Sequence, residues 1–430
     1  MPETQVGAPA PGVTEPPQQR RTLGVLVAAQ VLSGAGLAAG ITVGALLAQD
    51  MLGSTSLSGL PSALFTIGSA GAALLIGRIS QRLGRRPGLA LGYLGGALGS
   101  VGVIAAAVLD NAVLLFTTLF VYGAGTATNL QARYAGADLA APARRGRAVS
   151  TVLVATTLGA VAGPNLVTVM GDAAGSLGIP ALAGPFLLSG AAYGAAGLVL
   201  WVWLRPDPLL LAREAAAGHG AVSTSEPVAE IAQVPPSDDA ARDAARTVLL
   251  AGTIMVLTQA VMVAVMTMTP VHMHAHHHSV GAMGMVIAAH VGMMYLPSPL
   301  SGWLVDRYGP VRVAVAAAGV LLLSGVLAAA APASSLVLLA IALGLLGLGW
   351  SFGLVAGTAM LTAAVPIESR AKTQGAVDLS VALAGAAGGM GSGMVVAGTS
   401  YAALALGGGL FALLILPAVA VTVRRSGTPA

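Results

Sequence analysis

Long apolar runs separated by short polar loops repeat along the whole 430-residue chain. Each run holds about 20 residues or more, enough to cross a ~30 Å hydrocarbon core as a helix. The runs are continuous, whereas membrane strands would alternate apolar and polar positions. The pattern predicts spans at 22–48, 60–80, 87–109, 112–137, 148–170 and 179–204, then at 246–271, 280–303, 312–331, 334–357, 374–397 and 400–423. One long polar connection, 205–245, carries seven of the sixteen acidic residues and divides the spans into two sets of six. The expected fold is an all-α membrane protein with twelve transmembrane helices in two six-helix bundles. Its parts are an N-terminal tail at 1–21, a bundle at 22–204, a linker at 205–245, a second bundle at 246–425 and a C-terminal tail at 426–430. The first tail is rich in Pro, Gly and polar residues and lacks a short apolar core with a cleavage site. It reads as disordered, not as a signal peptide.

Composition agrees with this pattern: 56% of residues are hydrophobic and 8% are charged, against roughly 25% charged in soluble domains. There is no cysteine, which excludes disulfides and thiolate metal ligation. The twenty Lys and Arg residues lie at 20–21, 78–86, 133–147, 205–246, 307–312, 370–372 and 424–425. With an internal N-terminus all of them fall on the cytoplasmic side or in the cytoplasmic half of a span, so the positive-inside rule predicts both termini in the cytoplasm of a cell-membrane protein. Basic residues that flank spans give no reason to expect a nucleic-acid partner; the expected surroundings are the lipid bilayer.

The two halves repeat in register. "GRISQRLGRR" follows span two and "GWLVDRYGPVR" follows span eight; Gly77 and Gly302, Arg82 and Arg307, and Gly84 and Gly309 are each 225 residues apart. The same offset relates Arg145 to Arg370, Arg147 to Lys372 and Gly163 to Gly388. A parallel six-plus-six repeat is a strong sign of a transporter fold. These loops resemble motif A of the major facilitator superfamily, Gly-x-Leu-x-Asp-Arg-x-Gly-Arg-Arg. One copy keeps Gly77, Arg82, Gly84, Arg85 and Arg86 but has Gln81 at the acidic position. The other has Gly302, Asp306, Arg307 and Gly309. The resemblance spans 22–425. It implies two bundles that rock about a central site, with the motif fastening the cytoplasmic side of the outward-open state.

The chemistry gathers in one hairpin, "MVAVMTMTPVHMHAHHHSVGAMGMVIAAHVGMM". Nine of the fifteen methionines fall within 255–294, and six of the seven histidines within 262–294. Met262 and Met266 on span seven, and His290 and Met294 on span eight, are each four apart and so share a helix face. Counting from His276 as midpoint, Met262 and His290 should lie at similar depth near the midplane, where such transporters bind substrate. Thioethers with one imidazole favour Cu(I) over hard cations and fit Zn(II) less well. Methionine is also an ordinary apolar filler. An ionisable residue such as His290 inside a span is more often functional, with a structural hydrogen bond as the competing role.

Met-x-x-x-Met in span seven with His-x-x-x-Met in span eight resembles the CcoA-like copper importers, a branch of the same superfamily. That resemblance implies Met262, Met266, His290 and Met294 as the copper path, copper as substrate with no prosthetic group, and a copper chaperone as a candidate partner. Related members are associated with riboflavin uptake. His272, Met273, His274, His276, His277 and His278 are expected in an external turn, as an accessory metal entrance or a tolerant low-complexity loop. Met268 and His272 are candidate stepping stones inward.

Two further residues stand out within spans. Asp378 can carry a proton or pair with a base, Arg370 and Lys372 being near in sequence. Arg133 is a candidate partner for Asp138 or Asp378, or a gate. "GAVAGPN", 159–165, partly resembles motif C of proton-coupled antiporters, which keeps export of drugs or other organic solutes as an alternative function. Small residues that pack closely and a Pro kink account for it equally. No nucleotide-binding loop or hydrolase nucleophile motif occurs, so the expected protein is a secondary transporter and not an enzyme.

Overall fold

A computed structural model describes residues 15–52, 60–222 and 238–426. Among them the regular structure is helical throughout, and ten helices are long and apolar enough to cross a membrane. The first half comprises α1 (Gln18–Leu52), α2 (Leu60–Leu83), α3 (Arg85–Val108), α4 (Ala112–Ala137), α5 (Arg145–Asn165), α6 (Val167–Ser176) and α7 (Gly184–Trp203). Helix α8 (Pro208–Val222) follows. The second half comprises α9 (Asp238–Ala275), α10 (Val280–Tyr295), α11 (Ser298–Tyr308), α12 (Pro310–Ala330), α13 (Leu336–Ala364), α14 (Arg370–Gly398), α15 (Tyr401–Ala412) and α16 (Ile415–Ser426).

Three expected spans are each built from two helices. Span five breaks at Leu166, just after Pro164, and span eight at Leu296–Pro297. A proline has no N–H to continue the ladder. Span twelve breaks at Leu413–Leu414. Three boundaries also differ from expectation. Residues 18–21 belong to α1 and not to the tail, and the linker contains α8 and the first turns of α9. Residues 1–14 of the tail, 223–237 of the linker and 427–430 lie outside the described residues.

Each half has its own buried core. Leu26, Leu89, Tyr93, Tyr122, Phe186 and Tyr193 centre the first; Ile254, Met255, Leu321, Leu343, Trp350 and Leu354 centre the second. Tyr134, Ala137, Val149 and Leu153 of α4 and α5 join the second core, so the halves pack continuously where they meet. Two seams join them: α2 lies along α14, and α5 lies along α11. In lipid the drive for helix association is close packing rather than water exclusion, and small residues permit it. Both seams depend on such residues. A Cβ built on Gly77 would sit 2.7 Å from the Ala371 carbonyl and 2.8 Å from the Gly375 Cα. One built on Gly302 would strike the Gly146 carbonyl and the Ser150 hydroxyl.

The sequence repeat survives in the backbone. Gly84 and Gly309 start α3 and α12 with φ of 100° and 87°, values that favour glycine. Arg82 and Arg307 both point to the exposed surface.

Candidate substrate site and the joined end of the bundles

Helix α13 serves as a ruler for depth. Met255 and Thr258 of α9 pack on Gly357 and Gly353 of α13. Met262, one turn beyond Thr258 on this antiparallel helix, therefore stands level with Gly349, and Met266 with Leu345. On α10 the backbone of His290 and Met294 lies against Gly347. The four predicted residues thus reach one level of the second bundle, between about positions 343 and 351 of α13. Met262, His290 and Met294 are buried, while Met266 is half-buried against the same core. Helices α9 and α10 touch each other lightly and meet different faces of α13. Trp350 bridges them: its indole N–H donates to Gln259 Oε1 at 2.7 Å, and its ring meets Tyr295 edge-on at 5.7 Å.

His290 is the most constrained of the four. It is fully buried, and its Nδ1 lies 2.9 Å from the Leu343 carbonyl oxygen. A carbonyl only accepts, so the neutral ring carries its proton on Nδ1 and a lone pair on Nε2. No protein group bonds that Nε2. A hydrogen bond of this kind from one ring nitrogen to a carbonyl is what orients a metal-binding imidazole. Among the described residues no three of His, Cys, Asp and Glu gather as a metal site. A metal at this level would rest on thioethers and one imidazole.

The turn between α9 and α10 is shorter than expected. Helix α9 continues through Pro270 to Ala275, so only 276–279 form the turn. Met273 is buried in the core rather than outward-facing. His274, His276 and His277 are exposed, and His272, His278 and Met268 are half-buried.

At the arginine-bearing end the bundles are joined by polar contacts. Asp306 accepts from the amides of Gly146 and Arg147 at 2.7 and 3.1 Å, at the N-terminus of α5. Gln81 accepts from Ala371 and Lys372 at 2.7 and 3.2 Å, at the N-terminus of α14. Every partner in one latch is 225 residues from its counterpart in the other. A helix N-terminus needs an acceptor, which explains why an amide can replace the motif's acid. Gln81 also donates to the carbonyls of Ile367 and Glu368, which a carboxylate could not do. Asp306→Ala should cost about 0.5–2 kcal/mol, the range for losing a helix cap, read as a lower melting temperature in detergent.

Two buried ion pairs lie deeper. Arg85 Nε meets Asp138 at 2.7 Å, and Arg85 Nη2 donates to Gln374 of the other bundle at 2.5 Å. Arg133 Nη2 meets Asp378 Oδ1 at 2.7 Å. Asp378 therefore pairs with Arg133, not with Arg370 or Lys372, and Asp138 takes Arg85 in Arg133's place. Arg133 also donates through Nε to Thr358 at 3.0 Å and through Nη1 to the Leu130 carbonyl. Tyr134 donates to the same Asp378 oxygen at 3.0 Å. Arg86 covers Trp201 at 4.9 Å. Sequence reasoning missed a polar network inside the first bundle. There the Tyr93 hydroxyl donates to Gln30 Oε1 at 2.6 Å and lies 2.9 Å from the Ser33 hydroxyl, Gln30 donates to Thr156, and Asn129 to Ser33, all buried. Five polar residues interrupting the apolar runs of four spans were its signal. In the motif C-like stretch the side chains of 160–165 lie outside the described residues.

Comparison with known proteins agrees with this architecture. The family model of the Major Facilitator Superfamily matches residues 26–296 and 248–430. The uncharacterized MFS-type transporter YdeG of Bacillus subtilis is 54% identical over 400 residues, covering 93% of this chain and 91% of that protein. The riboflavin transporter RfnT of Brucella anthropi is 31% identical over 368 residues, 85% of this chain and 86% of that one. The human organic anion transporter MFSD10 superposes with a TM-score of 0.73 at 18% identity, over 94% of this chain and 100% of that one; that likeness concerns fold alone. With its repeat, its two bundles and these relatives, the chain belongs to the major facilitator superfamily and is a multi-pass secondary transporter, not an enzyme.

Proposed function

We propose that this transporter carries copper, as Cu(I), inward by alternating access, with Met262, Met266, His290 and Met294 as its path. The observation that carries the reading is His290. Its ring is oriented by the Leu343 carbonyl, and its buried Nε2 presents a lone pair with no protein partner. An unsatisfied acceptor in a membrane interior is costly, and a passing soft cation would offset that cost transiently. Met262 and Met266 approach the same level from α9, and Met294 lies one turn from His290. Neutral thioethers replace water around a monovalent ion without holding it as thiolates would. In this reading the termini are cytoplasmic, Arg133 and Asp378 form part of the gate on that side, and a cytoplasmic copper chaperone receives the ion.

A second reading, riboflavin uptake, is favoured by the 31% identity to the riboflavin transporter RfnT. Trp350, Tyr295 and Gln259 would then supply aromatic faces and an amide to a planar solute. Radiolabelled copper uptake into proteoliposomes, with riboflavin run in parallel, separates the two. The expected result is copper uptake that falls on the order of tenfold or more when His290 and Met294 are replaced by alanine, in line with the loss of metal-site groups. Riboflavin uptake with copper transport absent, or copper uptake untouched by those replacements, would overturn the copper assignment.

A further inference from the structure

The outer end of α9 holds a second arrangement of imidazoles, chemically unlike the thioether-rich level in the membrane. His272 and His276 are one turn apart, with ring centroids 4.4 Å apart and planes inclined by 53°. His276 Nδ1 lies 2.8 Å from the His272 carbonyl oxygen. Because that oxygen only accepts, the proton is on Nδ1, and the exposed ring turns a bare Nε2 outward. The His272 ring lies flat on Tyr401 of α15, at 4.4 Å and 14°. The Tyr401 hydroxyl is in turn 2.9 Å from Thr269 Oγ1. The two rings are therefore set by a backbone carbonyl and by an anchored aromatic face before any ligand arrives.

The neighbouring histidines do not share this setting. His278 Nε2 donates to the Ala333 carbonyl at 2.6 Å. His277 lies beyond the helix in a left-handed conformation with φ 60°. His274 is two residues from each member of the pair and so projects from another side of the helix.

We propose that His272 and His276 form a site for a borderline divalent cation, Zn(II) or Cu(II), at the arginine-free mouth of the transporter. Imidazole nitrogens bind such ions at about 2.0–2.1 Å, so two of them on one ion stand roughly 3 Å apart, within reach of rings set 4.4 Å apart. Two imidazoles without a thioether suit divalent ions, whereas the deeper Met/His set suits Cu(I). Water completes the shell, since the described residues bring no third His, Cys, Asp or Glu to the place. The ion would also clip the last turn of α9, which follows Pro270 and lacks the hydrogen bond that residue cannot donate.

The test uses zinc, which has no redox chemistry and is not the proposed cargo. Zinc titration of the full-length protein in detergent, followed by calorimetry, should show one site. His272→Ala and His276→Ala should each weaken it on the order of tenfold or more, while His277→Ala should leave it unchanged. Zinc binding that survives both replacements, or that falls equally with His277→Ala, would overturn the site in favour of unselective binding by the histidine tract. Zinc is read by equilibrium binding and copper by transport, so failure here and failure of the copper reading are separate results.

Discussion

Asp378→Ala should destabilise the protein by about 3–5 kcal/mol, the usual consequence of stranding one member of a buried ion pair. It should also lower uptake of the cargo. Arg133 is fully buried, and its guanidinium keeps its charge under all ordinary conditions. With the carboxylate gone, Thr358, Tyr134 and the Leu130 carbonyl would still bond it, but none would neutralise it. Replacing both residues, Arg133→Met with Asp378→Leu, should recover most of the lost stability, because two apolar groups have no charge to desolvate. The pair also joins α4 of one bundle to α14 of the other, and a rocking transporter must part these helices. Asp378→Asn keeps the shape and one acceptor oxygen but removes the charge, as protonation would. It should loosen this end without the full loss of stability. The chain has no cysteine, so Ala137→Cys, buried where the bundles meet, gives a clean reporter. Faster maleimide labelling of that thiol in the Asn variant is the expected outcome. Labelling and melting temperature unchanged from the parent would show that the pair does not hold this end.

The sequence exposes these features unevenly, for physical reasons. Membrane spans are legible because the bilayer demands long apolar runs whatever the tertiary contacts. Helix α8 is hidden in the linker because "PLLLAREAAAGHGAV" is too short and too mixed to announce itself as a span. The 225-residue offset extends beyond the repeated loops to the contacts between the bundles. It pairs Gln81 with Asp306, Ala371 with Gly146 and Lys372 with Arg147, the complete membership of the two latches. It also pairs Arg133 with Thr358, which hydrogen-bond each other across the interface. The histidine tract misled in the opposite sense. Its composition suggested a loop, yet helix α9 runs into it as far as Ala275 and buries Met273. The orientation of His290 could not be read at all, since it depends on a backbone carbonyl 53 residues away.

Gly302→Val should block the transport cycle while leaving each bundle folded. At that point α11 crosses α5 so closely that a Cβ on Gly302 would strike the Gly146 carbonyl and the Ser150 hydroxyl. Ser150 can turn away, but a backbone carbonyl at a helix start cannot. Overpacking of this kind costs about 1–3 kcal/mol, and here the cost falls on one conformation only. Once the bundles part, the two helices no longer touch and the added methyls meet lipid or water. The substitution therefore biases the equilibrium away from the joined state by about 5–150-fold, and transport should fall by a factor within that range. The repeat supplies an independent check. Gly77 meets Ala371 and Gly375 in the way Gly302 meets Gly146 and Ser150, so Gly77→Val should produce the same defect from the other seam. Gly319→Val, where an added Cβ meets nothing within 4 Å, should transport normally. If Gly302→Val also transports normally, the α5–α11 seam does not open and close during the cycle. If it fails with a melting temperature near that of Gly319→Val, the loss lies in conformational balance and not in folding.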